Sequence, residues 1–296
     1  LSAGLTFRPA EHHPDMSTHL PGIGIDGSPV TVDDLVNYFR GGAKPAAEWR
    51  VGAEFEKFAL DRRTGRQVGF DAGAEGVLHA LATRFAWEPH YELARAAGSS
   101  ADRLGPEEAR LTTLTRGAAT ISVEPGGQVE LSTAPAARLS ELRAELAAHL
   151  RELRAVSDPA AIAWAAAGVT PFSGVDDIPL NPRARHRLMA AYLPARCPRG
   201  LHMMKATAST QVTFDYADEA DAGRKFAVAL TLGPVVNALF ANAPMYAGER
   251  TGFVSFRGHV WHGMDPDRSG LLTELLAGEL TVEGWGEFVL DVPLLL

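Results

Sequence analysis

Val51-Gly52-Ala53-Glu54-Phe55-Glu56-Lys57-Phe58 decides how the chain is read, and Glu124-Pro125-Gly126-Gly127-Gln128-Val129-Glu130-Leu131-Ser132 answers it further on. Side chains alternate faces along an extended strand, so Glu54 and Glu56 project together while Ala53, Phe55 and Lys57 turn the other way. In the second stretch Gln128, Glu130 and Ser132 share a face against Val129 and Leu131, and Glu124 stands before a Pro-Gly-Gly turn. Carboxylates gathered on two strands repel one another unless a cation lies between them. Oxygen ligands suit Mg²⁺, which keeps several waters and commonly bridges carboxylates to nucleotide phosphates. The pattern predicts that Glu54, Glu56, Glu124 and Glu130 converge on one cavity at separations of about 4–8 Å, given oxygen–metal distances of about 2.1 Å. A solvated acidic edge is the alternative reading.

The chain has 296 residues, 46% of them hydrophobic, enough for a sizeable core. Its net charge of -8 argues against nucleic acid as a main partner. No apolar run reaches the length of a membrane span, and the N-terminus lacks a basic-then-apolar signal, so no membrane partner and a cytoplasmic location are expected. Cys197, the single cysteine, permits no internal disulfide and suits a reducing compartment. Residues 1–15, polar and preceding Met16, read as a tail or upstream sequence, leaving 16–296 as a single catalytic domain. Leu294-Leu295-Leu296 reads as an interrupted element, so the domain is expected to be truncated at that end.

Around the acidic stretches, Thr31 caps a predicted helix with Val32, Leu35, Val36 and Phe39 on one face. A turn over 61–65 leads residues 67–70 back as a hairpin partner, and helical spacing resumes over 76–85. Residues 91–116 show no convincing period and are assigned no structure. Leu139, Leu142, Leu146, Leu150 and Leu153 predict a helix with all five leucines on its core face. A buried strand is expected over 162–169, a loop over 171–183, and a helix over 183–193 bearing Arg183, Arg185 and Arg187. Over 207–215 a strand should present Thr207, Ser209, Gln211, Thr213 and Asp215 on one face and bury Ala208, Val212 and Phe214 on the other. A helix over 218–242 should break or kink at Gly233-Pro234. Last, residues 253–261 read as extended, with Ser255, Arg257, His259 and Trp261 facing one way, before a turn holding Asp265 and Arg268.

These motifs together resemble the glutamate–cysteine ligase family of plant and bacterial type, whose first strand carries Gly-x-Glu-x-Glu-Lys-Phe, here Gly52 to Phe58. The resemblance continues through Glu124 to Ser132, Gln211-Val212 with Asp215, Leu239-Phe240-Ala241-Asn242-Ala243-Pro244, and Ser255-x-Arg257 with Trp261, Asp265 and Arg268. Ordered motifs at suitable spacing are far more specific than any one alone. The resemblance implies an α/β fold of the α+β kind, glutamine-synthetase-like, in which an antiparallel sheet curls into a funnel with helices packed outside. It implies Glu54, Glu56, Glu124 and Glu130 as ligands of Mg²⁺, with Mn²⁺ as the alternative ion. Arg257, Glu54 and Glu130 become the catalytic candidates, and Glu56, Glu124, Gln128 and Arg268 the candidates for holding ATP. Ser209, Gln211, Thr213, Arg257 and Trp261 would line the amino-acid pocket. Lys57 belongs to the motif, yet its strand face points away from the acids.

The activity so implied is an ATP- and Mg²⁺-dependent ligation, as in glutathione biosynthesis. ATP phosphorylates the γ-carboxylate of glutamate, and the acyl phosphate is then attacked by the amine of cysteine or a related amine. The partners are these small molecules; the oligomeric state is left open. Departures cluster in the half that would hold the amino acids. Family members have Arg-Thr-Cys-Thr-Val-Gln-Val-Asn where this chain has Ala206-Thr207-Ala208-Ser209-Thr210-Gln211-Val212-Thr213, and Trp-Thr-Asp-Thr-Asp where it has Trp261-His262-Gly263-Met264-Asp265. Family chains also continue beyond Leu290-Asp291-Val292-Pro293 into another arginine-bearing strand. The expectation is conserved phosphate chemistry with an altered acceptor site; the rivals are a same-fold ligase for another amine or acid, and a non-catalytic ATP- or amino-acid-binding relative. A zinc hydrolase is disfavoured, because the ten histidines are scattered and no His-Glu-x-x-His occurs.

Overall fold

The computed structural model describes residues 31–95, 107–270 and 280–294; the expected tail over 1–15 lies outside the described residues. Strand β1 (Val51–Asp61) is the hub of a seven-stranded sheet. Along one edge it pairs with β5 (Val129–Ser132), and along the other with β7 (Thr210–Phe214) at its start and β6 (Ile162–Ala165) at its end. Beyond β5 the order runs through β4 (Ala119–Val123) and β3 (Glu107–Arg116) to β2 (Glu88–Arg95), every pairing antiparallel. Alternation buries every second residue of β4 and β5, and on β1 and β5 it carries Glu54, Glu56 and Glu130 on the opposite face. Ala59, Leu111, Leu114, Ile121, Val129 and Leu131 meet Val77, Leu78 and Leu81 of α2 (Glu75–Phe85) and Leu153 and Val156 of α3 (Leu139–Ser157). This is a mixed α/β architecture with an antiparallel sheet. Among the described residues no helix is long and apolar enough to cross a membrane.

Helix α1 (Val32–Gly41) starts as expected, with Thr31 Oγ1 accepting from Asp34 N at 3.2 Å and Asp34 Oδ2 accepting from Thr31 N at 2.9 Å. The structure corrects several other expectations. Residues 67–70 return along β1 for a single bridge, Leu60 to Gln67, before one widened helical turn takes over at Phe70. The segment assigned no structure holds β2 and β3. Its period is hidden by a bulge, because the pairing steps from His90–Thr113 to Tyr91–Leu111 and leaves Thr112 out, so Leu111 and Leu114 share a buried face although they are three residues apart. Arg110 fastens this hairpin to α2, its Nε donating to Glu75 Oε1 at 3.0 Å.

On α3, Leu142 and Leu153 are buried and Leu146 packs on the core, but Leu139 is 73% exposed. The buried row is 142, 146, 149, 153 and 156, a true 3.6-residue stripe from which Leu139 and Leu150 diverge. Helix α4 (Ala184–Arg196) is followed by α5 (Gly200–Ala206), and α6 (Glu219–Leu239) runs unbroken through Gly233 and Pro234. Residues 231–240 are all exposed, so a carbonyl deprived of its partner by the proline is open to water. Val212 and Phe214 are 51% and 65% exposed, against the expectation that they fill a core. After the short hairpin of β8 (Met245–Tyr246) and β9 (Glu249–Arg250), the stretch read as extended is helix α7 (Phe256–His262). Ser255 caps it, its Oγ accepting from Gly258 N at 3.1 Å, a start signal that outweighs the fortuitous alternation. Helix α8 (Val282–Asp291) closes the described chain and packs on α1, with Val32, Leu35 and Val36 facing Gly286.

Candidate functional site

The register places the acids on one face. Glu56 stands directly opposite Glu130 across β1 and β5, and Glu54 lies between Ser132 on β5 and Gln211 on β7. Glu124 N donates to Gln128 O at 2.8 Å, and Gly127 N returns to Glu124 O at 2.9 Å, so the Pro-Gly-Gly turn presents Glu124 at the end of the same face. Burial raises the carboxyls of Glu54 and Glu56, and the charge of Glu130 raises both further. Glu124 is pushed up to about 7, by burial first and then by Glu130 and Glu56, against the opposing pull of Arg185 and Arg183 on α4. The four acids therefore share one electrostatic field. Among the described residues no three His, Cys, Asp or Glu side chains stand close enough together to hold a metal ion. Two cavities among the described residues, of about 180 Å³ and 640 Å³, are lined by none of these acids.

The polar side of β7 meets this face. Ser209 N and Oγ donate to Glu56 at 2.7 and 3.1 Å, and Gln211 Nε2 reaches Ser209 Oγ at 3.2 Å. Thr213 is exposed opposite Gly52, while Asp215 accepts from Lys44 Nζ and Arg50 N, both at 2.8 Å. Thr207 leaves the expected row, its hydroxyl donating to Met203 O at 2.7 Å. Arg257 is mostly buried; its charge lowers the Glu56 carboxyl, its Nε has no partner, and its guanidinium lies 5.3 Å from the Trp261 ring. The helix makes this pair possible, since residues four apart on α7 share a side.

Two candidates stand elsewhere. Gln128 is buried with both ends engaged, Oε1 accepting from Gly126 N at 2.8 Å and Nε2 donating to Thr207 O at 2.7 Å, so it braces the turn that carries Glu124. Arg268 is spent on Asp265 at 2.6 Å, Tyr192 at 2.7 Å and the Leu294 carbonyl at 3.1 Å, tying the region after α7 to α4. The sequence allows Arg183, Arg185 and Arg187 either a phosphate site or a solvated helix face, and the structure turns Arg185 and Arg183 toward the field of Glu124. Lys57 lies on the core side, 3% exposed, where burial lowers its ammonium to about 8 against the pull of Glu130 and Glu56. Of the departures, Ala206 and Ala208 are buried.

Residues 50–296 match the profile of glutamate-cysteine ligase family 2 (GCS2). The chain is similar to the chloroplastic glutamate--cysteine ligase of Brassica juncea, 37% identical over 266 residues that are 90% of this chain and 49% of that protein. The corresponding enzyme of Nicotiana tabacum is 36% identical over 270 residues, 91% and 49% of the two chains. Glutamate--cysteine ligase A of Oryza sativa subsp. japonica is 36% identical over 266 residues, 90% and 51% of the two. The chain thus spans about half the length of the curated relatives it matches. With a family profile covering almost all the described residues and the acidic strands falling inside it, the chain belongs to glutamate-cysteine ligase family 2.

Proposed function

We propose that the acidic sheet face is the phosphoryl-transfer site of an ATP- and Mg²⁺-dependent ligase that joins the γ-carboxylate of glutamate to an amine, with cysteine the default amine. The observation that carries this reading is the opposition of Glu56 and Glu130 across β1 and β5, with Glu54 and Glu124 in the same field. An all-oxygen donor set in which burial first, and then mutual repulsion, raises Glu54, Glu56 and Glu124 fits a hard divalent cation. Mg²⁺ needs only one or two carboxylates beside substrate phosphates, so Glu54, Glu56, Glu124 and Glu130 would share it in pairs rather than enclose it together. Bound there, Mg²⁺ or Mn²⁺ supplies neutralisation of phosphate charge. The sheet as one wall of a glutamine-synthetase-like funnel, residues 16–296 acting as one catalytic domain, and a cytoplasmic setting belong to the same proposal.

The chain's own residues do the rest. Ser209 fixes Glu56 through two hydrogen bonds, and Arg257 beside it supports the negative charge of the transferring group. A carboxylate is a poor electrophile, so its oxygen first takes the terminal phosphoryl group and ADP leaves. The amine nitrogen then attacks the acyl carbon, inorganic phosphate departs, and the nitrogen loses a proton. Gln211, Thr213 and Trp261 would line the amino-acid side, with Gln128 acting through the turn of Glu124 and Arg268 through the segment after α7. A second reading, the same chemistry with another amine, is favoured by the small buried side chains of Ala206 and Ala208, which offer neither cation nor thiol. The test is ADP release from ATP, Mg²⁺ and glutamate with a panel of amines, the product identified by mass. A γ-glutamyl amide is expected, lost in Glu56→Gln; no ADP with any amine would favour the non-catalytic reading.

A further inference from the structure

Helix α6 turns an apolar seam away from the chain that carries it. Val228, Leu232, Val235 and Leu239 follow one another at four-, three- and four-residue steps, the spacing that keeps a row of side chains facing a second helix. They are between 46% and 74% exposed, and Val236 and Phe240 beside them are as open. A different side fastens α6 to the rest of the molecule. Phe226 meets the Trp285 ring at 5.8 Å, Gly223 packs on Leu280, and Asn237 abuts Gly258 of α7. The carbonyl of Leu230, deprived of its helical donor by Pro234, also lies on that other side, so covering the seam strands no backbone group. A large apolar side chain carries about 150–250 Å² when aromatic and less when aliphatic, so these six residues leave about 600 Å² open. Contiguous apolar patches of that size mark interaction surfaces, and two of them together reach about 1,200 Å², the lower bound of stable interfaces.

We propose that α6 is a dimerisation helix, packing antiparallel on α6 of a second copy of this chain about a two-fold axis between Leu232 and Val235. The seam is complementary to itself in that arrangement. Val228 meets Leu239 of the second copy and Leu232 meets its Val235, a shorter side chain against a longer one at every step. No charged residue occurs from Phe226 to Gly248, so the overlap buries no charge, and Glu219, Asp221, Arg224 and Lys225 fall beyond its end. A parallel pair would set those like charges side by side and align the two helix dipoles. An interface near the lower size bound makes a dimer in exchange with its monomer, with a dissociation constant of about 1–100 µM. The inference is independent of the ligase reading. A segment of another polypeptide is the competing occupant, and it leaves this chain monomeric on its own.

Sedimentation velocity of the full chain, at concentrations on both sides of that range, is the test. The mass should climb from 31.6 kDa toward twice that value as concentration rises. Leu232→Lys and Val235→Glu, both at sites open to water in the single chain, should each raise the dissociation constant more than about 10-fold without moving the melting curve of the dilute chain. Mixing the two variants should restore pairing, because the antiparallel register sets position 232 of one chain against position 235 of the other, now opposite in charge. Amides over 231–239, which fray in the dilute chain, should gain protection from exchange as the dimer forms. A chain that stays monomeric at every concentration overturns the inference, and so does a dimer that either single variant leaves at full strength. A mixture no tighter than the variants alone overturns the antiparallel register.

Discussion

His149 shows how much one side chain can load onto a fold. It sits on α3 behind the acidic strand, 1% exposed, with neither ring nitrogen hydrogen-bonded. Burial first, then the charges of Lys57 and Arg116, hold it down to about 2, far below its ordinary 6.5, so it stays neutral in the folded chain. The unfolded chain takes up a proton below its ordinary value and the folded one does not. The stability His149 contributes is therefore full above about pH 6.5 and falls by roughly 1.4 kcal/mol per pH unit below it, about 2 kcal/mol by pH 5. Glu124, raised to about 7, pulls the other way over the same range and His186 adds to the loss, so the test is a difference: between pH 8 and pH 5, His149→Leu should lose about 2 kcal/mol less than the parent in urea unfolding. Gly126 carries a second prediction. A Cβ there would collide with the Lys205 carbonyl oxygen, so Gly126→Ala should cost about 1–3 kcal/mol in chemical denaturation and displace Glu124 with its turn.

Helix α3 and strand β3 separate what a sequence can disclose from what it conceals. Replacing Leu153, fully buried, with Ala should cost about 2–5 kcal/mol, whereas Leu139→Ala should change thermal unfolding by no more than about 0.5 kcal/mol. Both leucines fit the same three- and four-residue spacing; only the packing partner tells them apart. The acidic strands were legible because alternation is local: Glu54, Glu56 and Glu130 share a face whatever lies beyond them. The bulge at Thr112 was not, since the pairing that skips it is set by β2. Nor was α7, where Ser255, Arg257, His259 and Trp261 alternate convincingly and the capping of Ser255 decides otherwise. The site followed the same division. Charges carried on β1 and β5 follow from spacing, while which of the arginines on α4 reaches Glu124 depends on how a distant helix docks.

Across the whole molecule, the net charge of -8 and the gathered acids make folding responsive to cations. An ion that binds only the folded chain should stabilise it by about 2.7 kcal/mol at a hundred times its dissociation constant. Melting temperature should therefore rise with Mg²⁺ or Mn²⁺ over Na⁺ at equal ionic strength, and Glu130→Gln should abolish the difference. The weight of the fold is unevenly distributed. Strand β1 is held by three neighbours, whereas α6 has no buried side chain in 21 residues. The first part of α6 is anchored, Lys225 over the Trp49 ring at 3.6 Å and Phe226 against Trp285 at 5.8 Å; beyond Leu230 every side chain faces out. In deuterated solvent, amides of β1 and β5 should exchange only when the entire chain opens, while those over 231–239 should exchange through fraying that leaves the sheet intact. A graded protection map along α6, rising toward its first turns, is the expected signature of a helix fastened at one end.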